Sequence, residues 1–140
     1  MKVQTQSTEK PKKYSIENIE GSRCTVLFFD NIKEMQDEEN NKIYNYDMYD
    51  MNLTYREGLE EKIENNYEKW LEKAKKIAYD EEATRVRIKR DKLLADTDWT
   101  QMSDTALSEE EKEKYKTYRQ DLRNVPQQKD FPYNVVFPSI

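Results

Sequence analysis

The feature that most constrains the fold is a stripe of apolar residues at helical spacing in the middle of the chain. Its members follow at steps of three or four residues: Leu59, Ile63, Tyr67, Trp70, Ala74 and Ile77. Such spacing places side chains on one face of an α-helix. The stripe changes phase around residues 79–81 and resumes over residues 83–94. Residues 54–95 therefore predict one long helix, or two helices end to end.

The predicted helix begins at a capping box. Thr54 and Glu57 have the spacing at which a hydroxyl and a carboxylate satisfy free backbone amides. An unbroken helix over residues 54–95 would extend for about 60 Å. Only 35% of the residues are apolar and 38% are charged, so the chain has little surface with which to cover such a helix.

Two interpretations of the stripe follow. In one, it is a partner face, and we expect a homo-oligomer formed through the 54–95 helix by Leu59, Ile63, Tyr67, Trp70 and Ile77. This spacing is also that of a coiled-coil seam. In the other, the stripe packs only on the chain's own hairpin and C-terminal part.

Strand character is confined to the region before the helix. The runs RCTVLFFD (23–30) and KIYNYDMYDMNL (42–53) have β-branched, aromatic or alternating residues, and an acidic stretch joins them. Residues 14–53 therefore predict an antiparallel β-hairpin. Residues 1–13 are polar and without periodicity, so we expect a flexible N-terminal tail.

After the helix, the sequence predicts a short helical hairpin and an extended arm. Asp96-Thr-Asp favours a helix end. Ser108 and Glu111 form a second capping box, and the helix that follows should stop before Pro126. The closing FPYNVVFPSI is bracketed by prolines. The predicted fold class is α+β and mostly helical, with residues 96–140 as a C-terminal module.

Several kinds of chemistry lack the residues they need. The chain has no histidine, one cysteine and two glycines, which leaves no His-based catalysis, zinc cage or phosphate-binding loop. Paired carboxylates such as Asp96 and Asp98 sit in predicted turns. We therefore predict a protein that is not an enzyme and has no cofactor or metal. No apolar run has the length of a membrane span.

The charge pattern argues against nucleic acid as a partner, because the net charge is −5. The one basic run, residues 85–92, favours a solvated face or a stripe for an acidic protein. The ten tyrosines, with Trp70 and Trp99, are typical of protein–protein interfaces. They suit equally the protein's own thin core.

The last third of the chain carries a family resemblance. RDKLLADTDWT, KEKYKTYRQDLRNVP and FPYNVVFP resemble the C-terminal module of bacteriophage tail assembly chaperone and tail-fibre assembly proteins. The pattern falls on Arg90, Leu93, Leu94, Ala95, Thr97, Asp98, Trp99, Tyr118, Arg119, Leu122, Arg123, Pro126, Phe131, Pro132, Val135 and Pro138. It departs from the family at Ala106, where a proline is frequent, and at Phe137, where a tryptophan is frequent.

Together with the physical pattern, the resemblance predicts how the module is built. Trp99 is expected to be a structural anchor that turns the chain back, and Asp98 is expected to pair with Arg119 or Arg123. The predicted core consists of Leu93, Leu94, Trp99, Tyr118 and Leu122, with Phe131 and Val135 of the arm laid over it.

The resemblance implies a phage tail or tail-fibre assembly protein that binds a phage structural protein in the host cytoplasm. The alternative is a permanent virion component, such as a fibre, collar or tail adaptor, built on the same module. The family favours the chaperone, whereas the long helix, thin core and extended tails favour the virion component.

Overall fold

The computed structural model describes all 140 residues, which divide into two compact units, residues 1–80 and 81–140. The α+β class is confirmed. The strands are β1 (Lys2–Ser7), β2 (Tyr14–Glu20), β3 (Arg23–Gln36) and β4 (Lys42–Thr54). The helices are α1 (Leu59–Asn65), α2 (Tyr67–Asp96) and α3 (Glu109–Asn124), with 3-10 turns at Asp98–Gln101 and Val125–Gln127.

The first unit contains a four-stranded antiparallel sheet in the order β1-β4-β3-β2. The predicted hairpin is its centre, β3 with β4. However, β3 continues to Gln36, so only a tight loop remains of the predicted acidic connection. The Asp37 carboxylate closes this loop by accepting from the backbone N–H groups of Glu39 and Asn41, at 2.9 and 2.8 Å.

The N-terminal region differs from the predicted flexible tail. Residues 2–7 form the edge strand β1, in continuous register with β4 from Lys2↔Tyr49 to Ser7↔Tyr44. Val3 and Thr5 are half-buried while Gln4 is exposed, which is the alternation of a one-sided strand. An alternation this short and polar is too weak to predict a strand from the sequence alone. The strand is recognised only from its pairing with β4.

The predicted helix start at Thr54 is wrong. Thr54 is the last residue of β4 and pairs with Arg23 of β3, which holds its backbone extended. The helix begins instead at Leu59, after Gly58 with φ 78°. A break then separates α1 from α2 at Asn66, whose backbone leaves the helical region (φ −135°, ψ 30°). The predicted phase change at residues 79–81 does not interrupt α2.

The apolar stripe packs on one face of the chain's own sheet. Leu59 and Ile63 are buried, and Tyr67, Trp70 and Ile77 are half-buried around the same core. The sheet contributes Cys24, Val26, Phe28, Tyr49 and Met51. The predicted oligomer face is therefore used within the chain, because a sheet with an apolar face must itself be covered.

The phase change marks a real boundary. The division between the two units falls between Asp80 and Glu81, where the sequence stripe shifts. Leu71, Ala74 and Ala78 belong to the core of the first unit, and Ala83 and Val86 are buried in the second. The apolar residues on the two sides of the phase change therefore pack into two different cores along one helix.

Candidate protein-binding surface

The turn that follows α2 is fixed by its own side chains. The Thr97 hydroxyl lies 3.0 Å from the Leu93 carbonyl oxygen and 3.1 Å from that of Leu94. The Thr100 hydroxyl donates to the Thr97 carbonyl at 2.7 Å. These bonds satisfy carbonyls that the end of a helix leaves free. The predicted helix end at residues 96–98 is confirmed.

A buried arginine from α3 ties this turn together. Arg119 is only 7% exposed. Its Nη1 donates to the Leu94 carbonyl at 2.6 Å and to the Thr97 hydroxyl oxygen at 2.8 Å, and its Nη2 donates to Asp98 Oδ1 at 2.7 Å. A cation at the carbonyl end of a helix is also favoured by the helix dipole. Of the two arginines considered for the pair with Asp98, Arg119 makes it, and Arg123 lies exposed.

Trp99 does not belong to the core that the sequence predicts for this module. Its side chain is 48% exposed, and its ring meets Tyr115 edge-on with the centroids 5.8 Å apart. The turn is anchored instead by Arg119, whose guanidinium bonds to both backbone and side-chain oxygens of the turn. Met102, which follows the turn, is 61% exposed. The turn therefore exposes Trp99, which contacts Tyr115, and it is followed by the exposed Met102; we call these three residues the Trp99 surface.

The core of the second unit contains two of the predicted core residues, Tyr118 at 9% exposure and Leu122, which is fully buried. Its largest fully buried side chains are those of Leu122, Val125 and Pro132. The predicted core residues Leu93, Leu94, Phe131 and Val135 are half-buried. Sequence reasoning missed Val125 and Pro132 because their neighbouring prolines and polar residues indicate a helix end and an extended arm, rather than a core.

The C-terminal arm is held by an amide and by cations. The side chain of Gln128 donates to the Val136 carbonyl at 2.7 Å and accepts from the Val136 N–H at 2.8 Å. The guanidinium of Arg87 lies 5.2 Å from the centre of the Phe131 ring, and the ammonium of Lys89 lies 4.3 Å from that of Phe137.

These contacts explain most of the basic run. Arg85 pairs with Glu82 and Arg90 with Asp91, each at 2.6 Å. Together with the two cation–π contacts, they engage basic side chains of residues 85–92 within the chain. Arg85, Arg87 and Lys89 nevertheless remain exposed, which agrees with the predicted solvated face.

Two further kinds of feature bear on function, a metal site and a membrane-spanning helix. No group of three or more His, Cys, Asp or Glu side chains is placed to hold a metal ion. None of the helices combines the length and apolar character needed to cross a membrane. The second unit exposes aromatic side chains on a turn that is held by hydrogen bonds from Arg119.

Comparison with known proteins finds a family match for this part of the chain. Residues 83–140 match the family described as phage tail assembly chaperone protein. The matched region runs from α2 through the turn, α3 and the arm, and so coincides with the second unit. The resemblance found in the sequence is thereby confirmed. Neither the curated proteins nor the solved structures gave a match.

Proposed function

With its C-terminal unit assigned to the phage tail assembly chaperone family, we propose that this protein assists tail assembly by binding a tail or tail-fibre structural protein. The role is non-enzymatic and is exercised in the host cytoplasm. The Trp99 surface makes the central contact with the client.

The observation that carries this proposal is the exposure of Trp99 on a fixed turn. Tryptophan is the residue most enriched among those that dominate binding energy at protein interfaces. Binding costs less when such a residue is already ordered before the partner arrives. The bonds from Arg119 to Leu94, Thr97 and Asp98 supply that order. The neighbouring Met102 adds a flexible apolar side chain of the kind used where a surface must adapt.

Co-expression with the phage's individual tail and fibre proteins tests the proposal. We expect the client to remain in the soluble fraction and to co-purify with the wild-type chain. Trp99→Ala should weaken this complex by about 30-fold, as for a residue that contributes about 2 kcal/mol at an interface. Tyr55→Ala is the matched control, because Tyr55 is a 40% exposed aromatic of the first unit. Equal retention of the client by both variants would exclude the Trp99 surface as the contact.

Quantitative mass spectrometry of mature particles separates the chaperone from the permanent virion component. A chaperone is absent from purified particles while it is abundant in the infected-cell lysate. A fixed copy number per particle would instead make the chain a building block of the virion, with the Trp99 surface as a permanent joint.

A further inference from the structure

A groove of about 370 Å³ lies between α2 and the C-terminal arm, within the second unit. Its apolar lining comes from Val86 of α2 and from Pro132 and Val135 of the arm. Val86 is 5% exposed and Pro132 is fully buried, so the core of the unit holds this floor in place. A concave site with a mostly apolar floor and few polar groups is the usual form of a binding site.

The charges in the lining do not balance. The charged residues are Glu82, Arg85 and Lys89, while the polar groups of Tyr133 and Asn134 are uncharged. Glu82 and Arg85 cancel, because Nε and Nη2 of Arg85 donate to the two carboxylate oxygens of Glu82 at 2.9 and 2.6 Å. Lys89 has no carboxylate partner. The groove therefore carries one positive charge without a counter-ion.

This positive charge is held in a defined position. The Lys89 ammonium lies 4.3 Å from the centre of the Phe137 ring, within the distance at which a ring face attracts a cation. The ring meets the ammonium from one side, and an ammonium has three donors, so donors remain for an acceptor in the groove. Lys92, three residues further along α2 and on the same helix face, is also exposed and without a carboxylate partner.

The chemistry of the lining selects the occupant. We propose that the groove binds a segment of a partner protein in which an apolar side chain stands next to an aspartate or a glutamate. The apolar side chain packs on Val86, Pro132 and Val135, and the carboxylate accepts from the Lys89 ammonium. A carboxylate complements the charge that the lining leaves without a counter-ion. A nucleic-acid backbone has no apolar group for the floor, and the net charge of −5 opposes its approach.

This site goes beyond the proposed function, because none of its residues belongs to the Trp99 surface. It also connects the basic run of residues 85–92 with an acidic protein, the partner that the charge of this run favours.

The test is an NMR titration of the isotopically labelled full chain with the peptide acetyl-Leu-Glu-Leu-amide. We expect saturable shifts of the methyl signals of Val86 and Val135, and none for Val3 of the first unit. The neutral peptide acetyl-Leu-Gln-Leu-amide should bind about fivefold more weakly, which is the upper end for an exposed ion pair.

Variants of Lys89 test the role of its charge. Lys89→Gln should remove the preference, so that the two peptides bind equally, and Lys89→Arg should keep it. Lys69→Gln changes an exposed lysine of α2 in the first unit, and it is the matched control that should bind as the wild type does. Trp99→Ala should also bind the acidic peptide normally. The peptide titration and the retention of a tail protein can therefore fail independently of one another.

Three results would overturn the proposal. The first is equal binding of the two peptides by the wild-type chain, and the second is an unchanged preference in Lys89→Gln. The third is displacement of the acidic peptide by a lower concentration of a short oligothymidylate, which would make phosphate the preferred ligand of Lys89.

Discussion

Arg119 shows how one residue decides the local geometry of the second unit. It gathers the Leu94 carbonyl, the Thr97 hydroxyl and the Asp98 carboxylate around a single buried guanidinium. Its Nε makes no hydrogen bond, which is a cost of burying so polar a group. Arginine suits this position because its planar fork reaches several acceptors at once, which a lysine ammonium does not.

Replacing this residue should destabilise the second unit. We expect Arg119→Met to lower the free energy of unfolding by about 2–3 kcal/mol, because the half-buried Leu94 carbonyl and Thr97 hydroxyl each lose a hydrogen bond from a charged donor. The bond to Asp98 adds little to this loss, since that carboxylate is 67% exposed. Urea unfolding followed by tryptophan fluorescence measures the change. The exposed Arg123→Met is the control and should stay within about 0.5 kcal/mol of the wild type.

Tyr67 plays a comparable part in the first unit. Its hydroxyl lies 3.1 Å from the carbonyl oxygens of Lys13 and Phe29, so it joins α2 to the sheet. Burial disfavours the phenolate, and the nearby Asp30 carboxylate adds to the effect, so the pKa of Tyr67 is raised to about 12.

The raised pKa of Tyr67 predicts an alkaline loss of stability. In the unfolded chain this phenol titrates near pH 10. Its contribution is therefore complete below about pH 10 and is lost as the pH rises towards about 12. Stability measured against pH should fall more steeply in this window for the wild type than for Tyr67→Phe. Parallel curves for the two proteins would show that Tyr67 titrates normally.

At the scale of elements, the same sequence pattern had two outcomes. The Ser108 capping box is confirmed, with the Ser108 hydroxyl accepting from the Glu111 N–H and the Glu111 carboxylate accepting from the Ser108 N–H. The Thr54 and Glu57 pattern forms no cap, because β3 holds Thr54 in a ladder. A capping-box pattern therefore forms a helix cap only where its residues are not already paired in a strand.

Removing the working cap should weaken α3. Ser108→Ala should lower the free energy of unfolding by about 1 kcal/mol, because an amide at the helix start loses its acceptor. Thermal unfolding followed by circular dichroism measures the difference. Ser103→Ala, an exposed serine outside the helix, should have no comparable effect.

The cap should also respond to acid. The hydrogen bonds from Ser108 lower the pKa of Glu111 below its usual value. Because the pKa of Glu111 is lower in the folded than in the unfolded chain, its carboxylate stabilises the folded chain above the unfolded pKa of about 4.3. This stabilisation is lost as the pH falls through the pKa of the folded chain. The difference between wild type and Ser108→Ala should accordingly shrink below about pH 4.

At the scale of the whole molecule, each unit has its own buried core, although α2 contributes to both. Ile63 is fully buried under the sheet, and Leu122 is fully buried in the second unit. The apolar content of 35% suffices because each core is small. A substitution in one core should thus loosen mainly the elements that surround it.

Amide hydrogen exchange tests this division. Ile63→Ala should cost about 2–5 kcal/mol and speed exchange in β3 and β4, with little effect in α3. Arg119→Met should speed exchange in α3 and leave β3 and β4 protected. Ile88→Ala is the control, because Ile88 is 65% exposed. Uniform loss of protection in both variants would mean that the two units unfold as one.

The sequence by itself determined the α+β class, the β3–β4 pair, the C-terminal end of α2, both ends of α3, and the resemblance of the C-terminal unit to the phage tail assembly chaperone family. These features depend on local periodicity, on caps and turn residues, and on a motif contiguous in the chain. Only the tertiary structure decided that β1 joins the sheet, that the stripe from Leu59 to Ile77 covers it, and that Trp99 faces outward. The physical reason is that a sequence pattern shows which side chains favour burial but not which residues will cover them. That depends on contacts between residues far apart in the chain, such as those of Arg119 with Leu94 and Thr97, which fill the turn in place of Trp99.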